Sequence, residues 1–206
     1  KVRLNSSACQ VYIGLKKGEV IPEDVGELIF TSDSEKFSVE ELTKLNTSSR
    51  TFSIYSPDSR PERRDSRYAI VASINAKWRD WDSLADEDYE FEKKRLCQET
   101  LDALEKIIPD VRSKVDHVEA ATPRTIRRYT RHPGGTTFGT KFEGLEVSEK
   151  LPEHAPGLFH AGSVGIIMSG WLGTINYGVI IADKVDRFLR DKLGSDAAPP
   201  IASVKT

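Results

Sequence analysis

Cysteine is scarce in this 206-residue chain. Only Cys9 and Cys97 occur, far apart, with no CxxC pair and no nearby histidine in a ligand pattern. That argues against a disulfide scaffold or a thiolate metal site and fits two reduced packing cysteines in a cytosolic-type protein. An excess of one charge sign is also lacking, because 30 basic and 32 acidic residues leave a net charge of -2. General nucleic-acid binding is not suggested, although Arg124, Arg127, Arg128 and Arg131 form a local basic cluster. The chain has no GxGxxG, no P-loop and no GxSxG, so it lacks the usual signatures of dinucleotide, phosphate-loop and serine-elbow sites. His117 and His154 stand at no metal-ligand spacing. The acidic run around WRDWDSLADEDYE lacks the oxygen spacing and turn glycine of a calcium loop, and reads as an exposed helix amino terminus. No metal is expected. The opening KVRLNSSACQ has neither Met nor an apolar signal segment and reads as cut from something longer. No internal repeat is visible.

What is present suits one or two modest globular domains, with 38% hydrophobic and 30% charged residues. ACQVYIGL (8–15), ELIFTS (27–32), TFSIYS (51–56), RYAIVASINA (67–76) and KVDHVEAA (114–121) read as strands. SVEELTKL (38–45) carries the Ser38 to Glu41 spacing of a helix-capping box. A helical period runs over 86–108, with Phe91, Leu96, Leu101, Leu104 and Ile108 on one face and Pro109 as its stop. TPRTIRRYT begins a short helix with Thr122 as cap and Pro123 in the first turn. Trp78, Trp81 and Tyr89 read as anchors of the long helix, with the lining of an apolar substrate channel as the alternative. PDSRPERRDSR (57–67) is a polar loop, and GSDAAPPIASVKT (194–206) is a mobile tail.

Residues 157–182 carry no Asp, Glu, Lys or Arg, a length that meets the crude criterion for a transmembrane helix. Their glycines, together with Asn176, argue instead for a short strand over 158–161, a glycine loop, and a helix from near Ser169 to about Leu193. A helix starting at such a loop offers backbone N–H groups and a positive dipole end to an anion or an electron-rich ring oxygen, with Gly162 and Gly170 leaving room. A purely structural strand-to-helix turn stays open as the alternative. His160, within the expected strand, reads as a hydrogen-bonded core histidine.

The order TPRTIRRYTRHPGGTTFG, a spacer, then LPEHAPGLFHAGSVGIIMSGWLGTINYGVIIADKV resembles the carboxy-terminal half of the FAD-dependent carotenoid desaturase and isomerase family. This family, often described as phytoene-dehydrogenase-like, also includes retinol saturases. The strands and the long helix before residue 130 read as an α+β layer, a mostly antiparallel sheet covered by that helix, and the resemblance implies that the strand, glycine loop and helix which follow belong to an FAD-binding α/β domain. It implies a substrate-domain region at 1–145, the return to the FAD domain at 146–195, and a flexible tail at 196–206.

By the same resemblance Gly162 and Ser163 sit by the ribityl-phosphate of FAD, with Ser169, Gly170, Trp171 and Leu172 beneath its ring. Gly134, Gly135 and Thr136 belong beside the flavin and the substrate tunnel. Three departures accompany it. Ser163 stands where many members have an acidic residue, Met168 where a glycine aligns, and the dinucleotide fold with GxGxxG is missing, as in a cleaved, split or truncated half. The expected activity is that of an FAD-dependent oxidoreductase acting on an apolar polyene or isoprenoid, partnered by the amino-terminal FAD-binding half. The alternative is a non-enzymatic module that binds an apolar ligand or a protein. The expected location is cytoplasmic, with peripheral membrane contact compatible with a lipid-resident substrate.

Overall fold

A computed structural model describes residues 2–59 and 67–193. Part of the polar loop expected at 57–67, and all of the tail expected after residue 193, lie outside the described residues. The chain forms two compact units, one of Ser6–Thr137 and one of Lys1–Asn5 with Phe138–Thr206. The sequence reading draws its division at residue 145; the chain passes between the units at Thr137 and Phe138.

The unit Ser6–Thr137 is an α+β layer. Among the described residues its strands are β1 (Ser7–Leu15), β2 (Leu28–Thr31), β3 (Arg50–Tyr55), β4 (Ala69–Ala76) and β5 (Val115–Ala121). They pair antiparallel in the order β2-β3-β4-β1-β5. Strict alternation in β1 turns Cys9, Val11, Ile13 and Leu15 to one face, where they meet Phe52, Ile54, Ile70, Ala72 and Ile74. Each such large side chain stabilises the fold by about 1.5–3 kcal/mol on full burial.

The helices of this unit are α1 (Val39–Thr43), α2 (Trp78–Asp82), α3 (Asp86–Glu105), α4 (Val111–Lys114) and α5 (Pro123–Thr130). Ser38 caps α1 by accepting from the Glu41 N–H, as its spacing requires. α3 opens on Asp86, Glu87 and Asp88, which suit a helix amino terminus, and covers the core with Leu96, Thr100, Leu101 and Leu104. Phe91 is a correction to the expected face. It is exposed, because it lies across the helix from Leu96 and Leu104 and finds nothing to cover it. Ile108 is buried, but in the turn beyond α3 rather than on the helix itself.

Val115 and Val118 are three apart, which breaks strand alternation, and both pack on the core. A register shift between Gly14 and Leu15 accounts for this: Val118 pairs with Ile13, but Val115 pairs with Leu15. The extra residue on β5 is a bulge that returns both valines to the same face. Trp81 is buried and meets Tyr89 edge-on at 6.0 Å, while the Tyr89 hydroxyl shares a 2.8 Å hydrogen bond with Thr122, the cap of α5. Thr122 and Thr125 form a reciprocal capping box, with Pro123 at the helix start.

The second unit contains α6 (Glu143–Glu149), α7 (Leu151–His154) and α8 (Gly170–Leu193). Leu4 bridges Thr140, and the Asn5 N–H donates to the Gly139 carbonyl. Val164, Tyr177 and Ile181 form its small core, with Leu145, Phe159 and Met168 packed around them. Residues 158–161 do not form the expected strand. They run as coil, with Phe159 edge-on to Phe188 of α8 at 5.5 Å. A strand needs a neighbour for its N–H and C=O groups, and this unit contains only isolated bridges among its described residues. No helix among the described residues is long and apolar enough to cross a membrane. The uncharged run divides into coil, a small hairpin closed by Val164 and Met168, and the first half of α8.

Candidate functional site

The residues expected to hold a cofactor lie in the unit containing α8. Ser169 donates to the Ile166 carbonyl at 2.6 Å and closes the small hairpin just ahead of the helix. Gly170 has φ +67, which favours glycine, and a Cβ built there would meet nothing within 4 Å. The start of α8 is therefore open. Gly173, one turn on, is needed for packing instead, since its Cβ would lie 2.8 Å from the Ile167 carbonyl oxygen and push the hairpin off the helix.

Trp171 and Leu172 are 88% and 87% exposed, an unusual state for large apolar side chains. Ile175 and Val179 continue the exposed stripe from Trp171 at steps of four, and Ile166 and Ile167 on the hairpin are exposed as well. Exposed apolar side chains grouped in this way are a recurring feature of surfaces that bind other molecules. Gly162 and Ser163 precede it, both half-buried, and the Ser163 Oγ is buried without a hydrogen-bond partner among the described residues. Such an atom is normally satisfied.

Beneath this surface lies a hydrogen-bonded chain that the sequence reading did not contain. The hydroxyl of Tyr177, a fully buried residue of α8, shares a 2.7 Å hydrogen bond with Ser148 of α6. Ser148 in turn shares one of 2.8 Å with the His160 Nδ1. His160 is hydrogen-bonded, as expected, but it is exposed rather than in the core, because the strand that would have enclosed it does not form. Its Nε2 would lie 3.9 Å from a Cβ on Gly162. The chain ends at the Tyr177 hydroxyl and fixes the His160 ring through Nδ1, so that Nε2 is the ring nitrogen outside it. Ser148, His160 and Tyr177 are separated by spacings with no periodic meaning, so only the meeting of α6, α8 and the coil that carries His160 brings them together.

The residues expected to meet a substrate, Gly134, Gly135 and Thr136, belong to the other unit. Pro133–Gly135 is a single 3-10 turn directly after α5. Ser7 of β1 donates to the Gly135 carbonyl at 2.5 Å, and the His132 Nδ1 lies 3.2 Å from the Thr136 carbonyl oxygen. Gly135 and Thr136 are buried, which leaves Gly134 as the more accessible of the three. No family model matches the chain, and no curated protein matches it.

Proposed function

We propose that the chain is part of an FAD-dependent oxidoreductase similar to the carotenoid desaturases and isomerases, acting on an apolar polyene or isoprenoid. In this reading the unit containing α8 forms one wall of the flavin site. An amino-terminal dinucleotide-binding half supplies the rest. The observation that carries the proposal is the open, uncharged start of α8, where Gly170 leaves the backbone approachable and Trp171 and Leu172 stand in the open.

Those residues fit a flavin. A planar, largely apolar ring with electron-rich oxygens needs backbone N–H donors at one edge and apolar side chains over a face. Ser163, whose Oγ lacks a partner among the described residues, fits a polar contact further along the cofactor. When bound, FAD supplies hydride acceptance or, once reduced, polarisation of a polyene. The chain's own residues do the rest. Trp171 and Leu172 exclude water, the α8 dipole favours negative charge at its amino end, and His160 can hold a proton at Nε2.

The test is an absorbance spectrum of the purified full chain, alone and after co-expression with a GxGxxG-bearing half. The expected result is the two oxidised-flavin bands in the co-expressed preparation, lost in Trp171→Asp/Leu172→Asp although the circular dichroism of the chain is unchanged. A colourless protein in both preparations overturns the reading. The rival, a non-enzymatic binding module, draws on the unit Ser6–Thr137 having a core of its own. It calls for a colourless chain that unfolds cooperatively.

A further inference from the structure

α5 carries Arg124, Arg127 and Arg128, and Arg131 follows at its carboxy-terminal cap. Steps of three and four bring all four to one side of the helix. With Trp78 they line an open cleft of about 340 Å³ in which no carboxylate takes part. Their roles differ. Arg124 is committed to the fold: its Nη2 donates to the carbonyls of Asp82 and Leu84, its Nη1 lies 3.6 Å from Asp86, and its guanidinium sits 4.5 Å over the Tyr89 ring. Arg127, Arg128 and Arg131 are exposed and have no carboxylate partner among the described residues. Arg127 rests 5.0 Å over the Trp78 ring, which orients its planar fork.

Two features go beyond a solvated helix face. Cations in the last turn complement the helix dipole, and that accounts for Arg127 and Arg128. Arg131 at the cap shares that benefit, but it does so from a left-handed backbone with φ 63 and ψ 7, which the dipole does not require. Glycine or asparagine usually takes that left-handed position, so a branchless or short side chain would be easier there. The chain instead keeps a guanidinium that lines the cleft. Like charges three and four apart repel one another, and a multivalent anion bound between them removes that cost.

We propose that this cleft binds a phosphate-bearing anion. Arg127, Arg128 and Arg131 donate charge-assisted hydrogen bonds to its oxygens, and Arg124 and Trp78 hold the frame. Guanidinium forks match phosphate geometry with two parallel donors each, a fit that lysine does not offer. The shared chemistry is the phosphate, whether it arrives as a free diphosphate or as a lipid headgroup. The site stands independently of the flavin reading.

The test is calorimetric titration of the full chain with inorganic pyrophosphate at low salt. Saturable binding is expected, weakened about tenfold or more in Arg127→Gln/Arg131→Gly. Arg131→Gly alone should fold at least as stably as the parent, since glycine suits that backbone. Arg187→Gln, which removes a cation that does not line the cleft, should bind like the parent. Co-sedimentation with phosphatidylcholine vesicles, with and without phosphatidylserine, separates the sources. Arginine-dependent sedimentation that requires phosphatidylserine and is competed by pyrophosphate assigns the headgroup, and pyrophosphate binding without sedimentation assigns the free anion. The proposal is overturned if neither probe binds, or if Arg187→Gln weakens binding as much as the double variant.

Discussion

Arg50 of β3 carries a nearly fully buried guanidinium to within 3.2 Å of the Glu99 carboxylate on α3. Its Nε donates to the Thr100 Oγ1 at 3.2 Å, and its Nη1 donates to the Thr47 carbonyl at 3.1 Å. Burial lowers the guanidinium's pKa and Glu99 opposes that shift. The charge is thus tolerated inside because Nε, Nη1 and Nη2 each reach an acceptor. Glu99→Gln should cost about 1–2 kcal/mol, less than a fully buried pair would, because Glu99 is partly exposed and screened. Arg50→Ala should cost about 3 kcal/mol, through lost packing and stranded acceptors. Urea denaturation midpoints at constant slope measure both.

Gly135 is a second point of close approach. Its φ is +55, and a Cβ would overlap the carbonyl oxygen of Pro123 in the first turn of α5. Gly135→Ala should cost about 3 kcal/mol or more, combining strain with displacement of backbone that cannot give way. Gly18→Ala, at φ +85 with nothing within 4 Å of the new carbon, should cost only about 1 kcal/mol. A difference between the two in thermal unfolding separates crowding from backbone preference.

The Tyr177–Ser148–His160 chain calls for coupled responses. Ser148→Ala leaves the buried Tyr177 hydroxyl without its partner and should cost about 1–3 kcal/mol. Tyr177→Phe removes the hydroxyl altogether and should cost about 1 kcal/mol. The double variant should cost less than the sum, because the stranded group is gone. A double-mutant cycle by denaturant unfolding checks this, and strict additivity would show that the hydrogen bond contributes nothing.

Arg3 and Glu143 link the amino-terminal segment to α6 through a 2.6 Å hydrogen bond from the guanidinium. That bond is the main reason the Glu143 carboxyl is lowered to about 2. A carboxyl whose folded pKa lies below its unfolded one adds stability above the ordinary glutamate range. The contribution is lost as pH falls from that range toward about 2. A carbon-detected titration of Glu143 should follow this midpoint, and Arg3→Gln should return it toward the ordinary range.

Much of the unit Ser6–Thr137 was legible because its signals are local. Apolar, β-branched and aromatic composition marked each strand, and Ser38 and Thr122 marked helix starts through side-chain bonds reaching only three residues, whereas α3 ends at Glu105, short of the Pro109 expected to stop it. The misreadings arose where a distant segment decides. Phe91 falls within an apolar period, yet the sheet meets the opposite side of α3. Residues 158–161 have strand-like composition but no strand to pair with. The candidate site was legible only at its helix start, where Gly170 and the uncharged residues after it are contiguous in sequence.

From the sequence alone came the α+β class, the five strands, the long helix over the sheet and the start of α8, because periodicity, capping and turn chemistry act over a few residues. Tertiary structure alone decided that a charged Arg50 could enter the interior and that Ser148 and His160 would meet a buried Tyr177. It also decided that Val115 and Val118 would share a face across a bulge. Each of these depends on a partner far along the chain. A buried polar group is stable only when folding brings its acceptor within hydrogen-bond distance, and no local pattern encodes that distance.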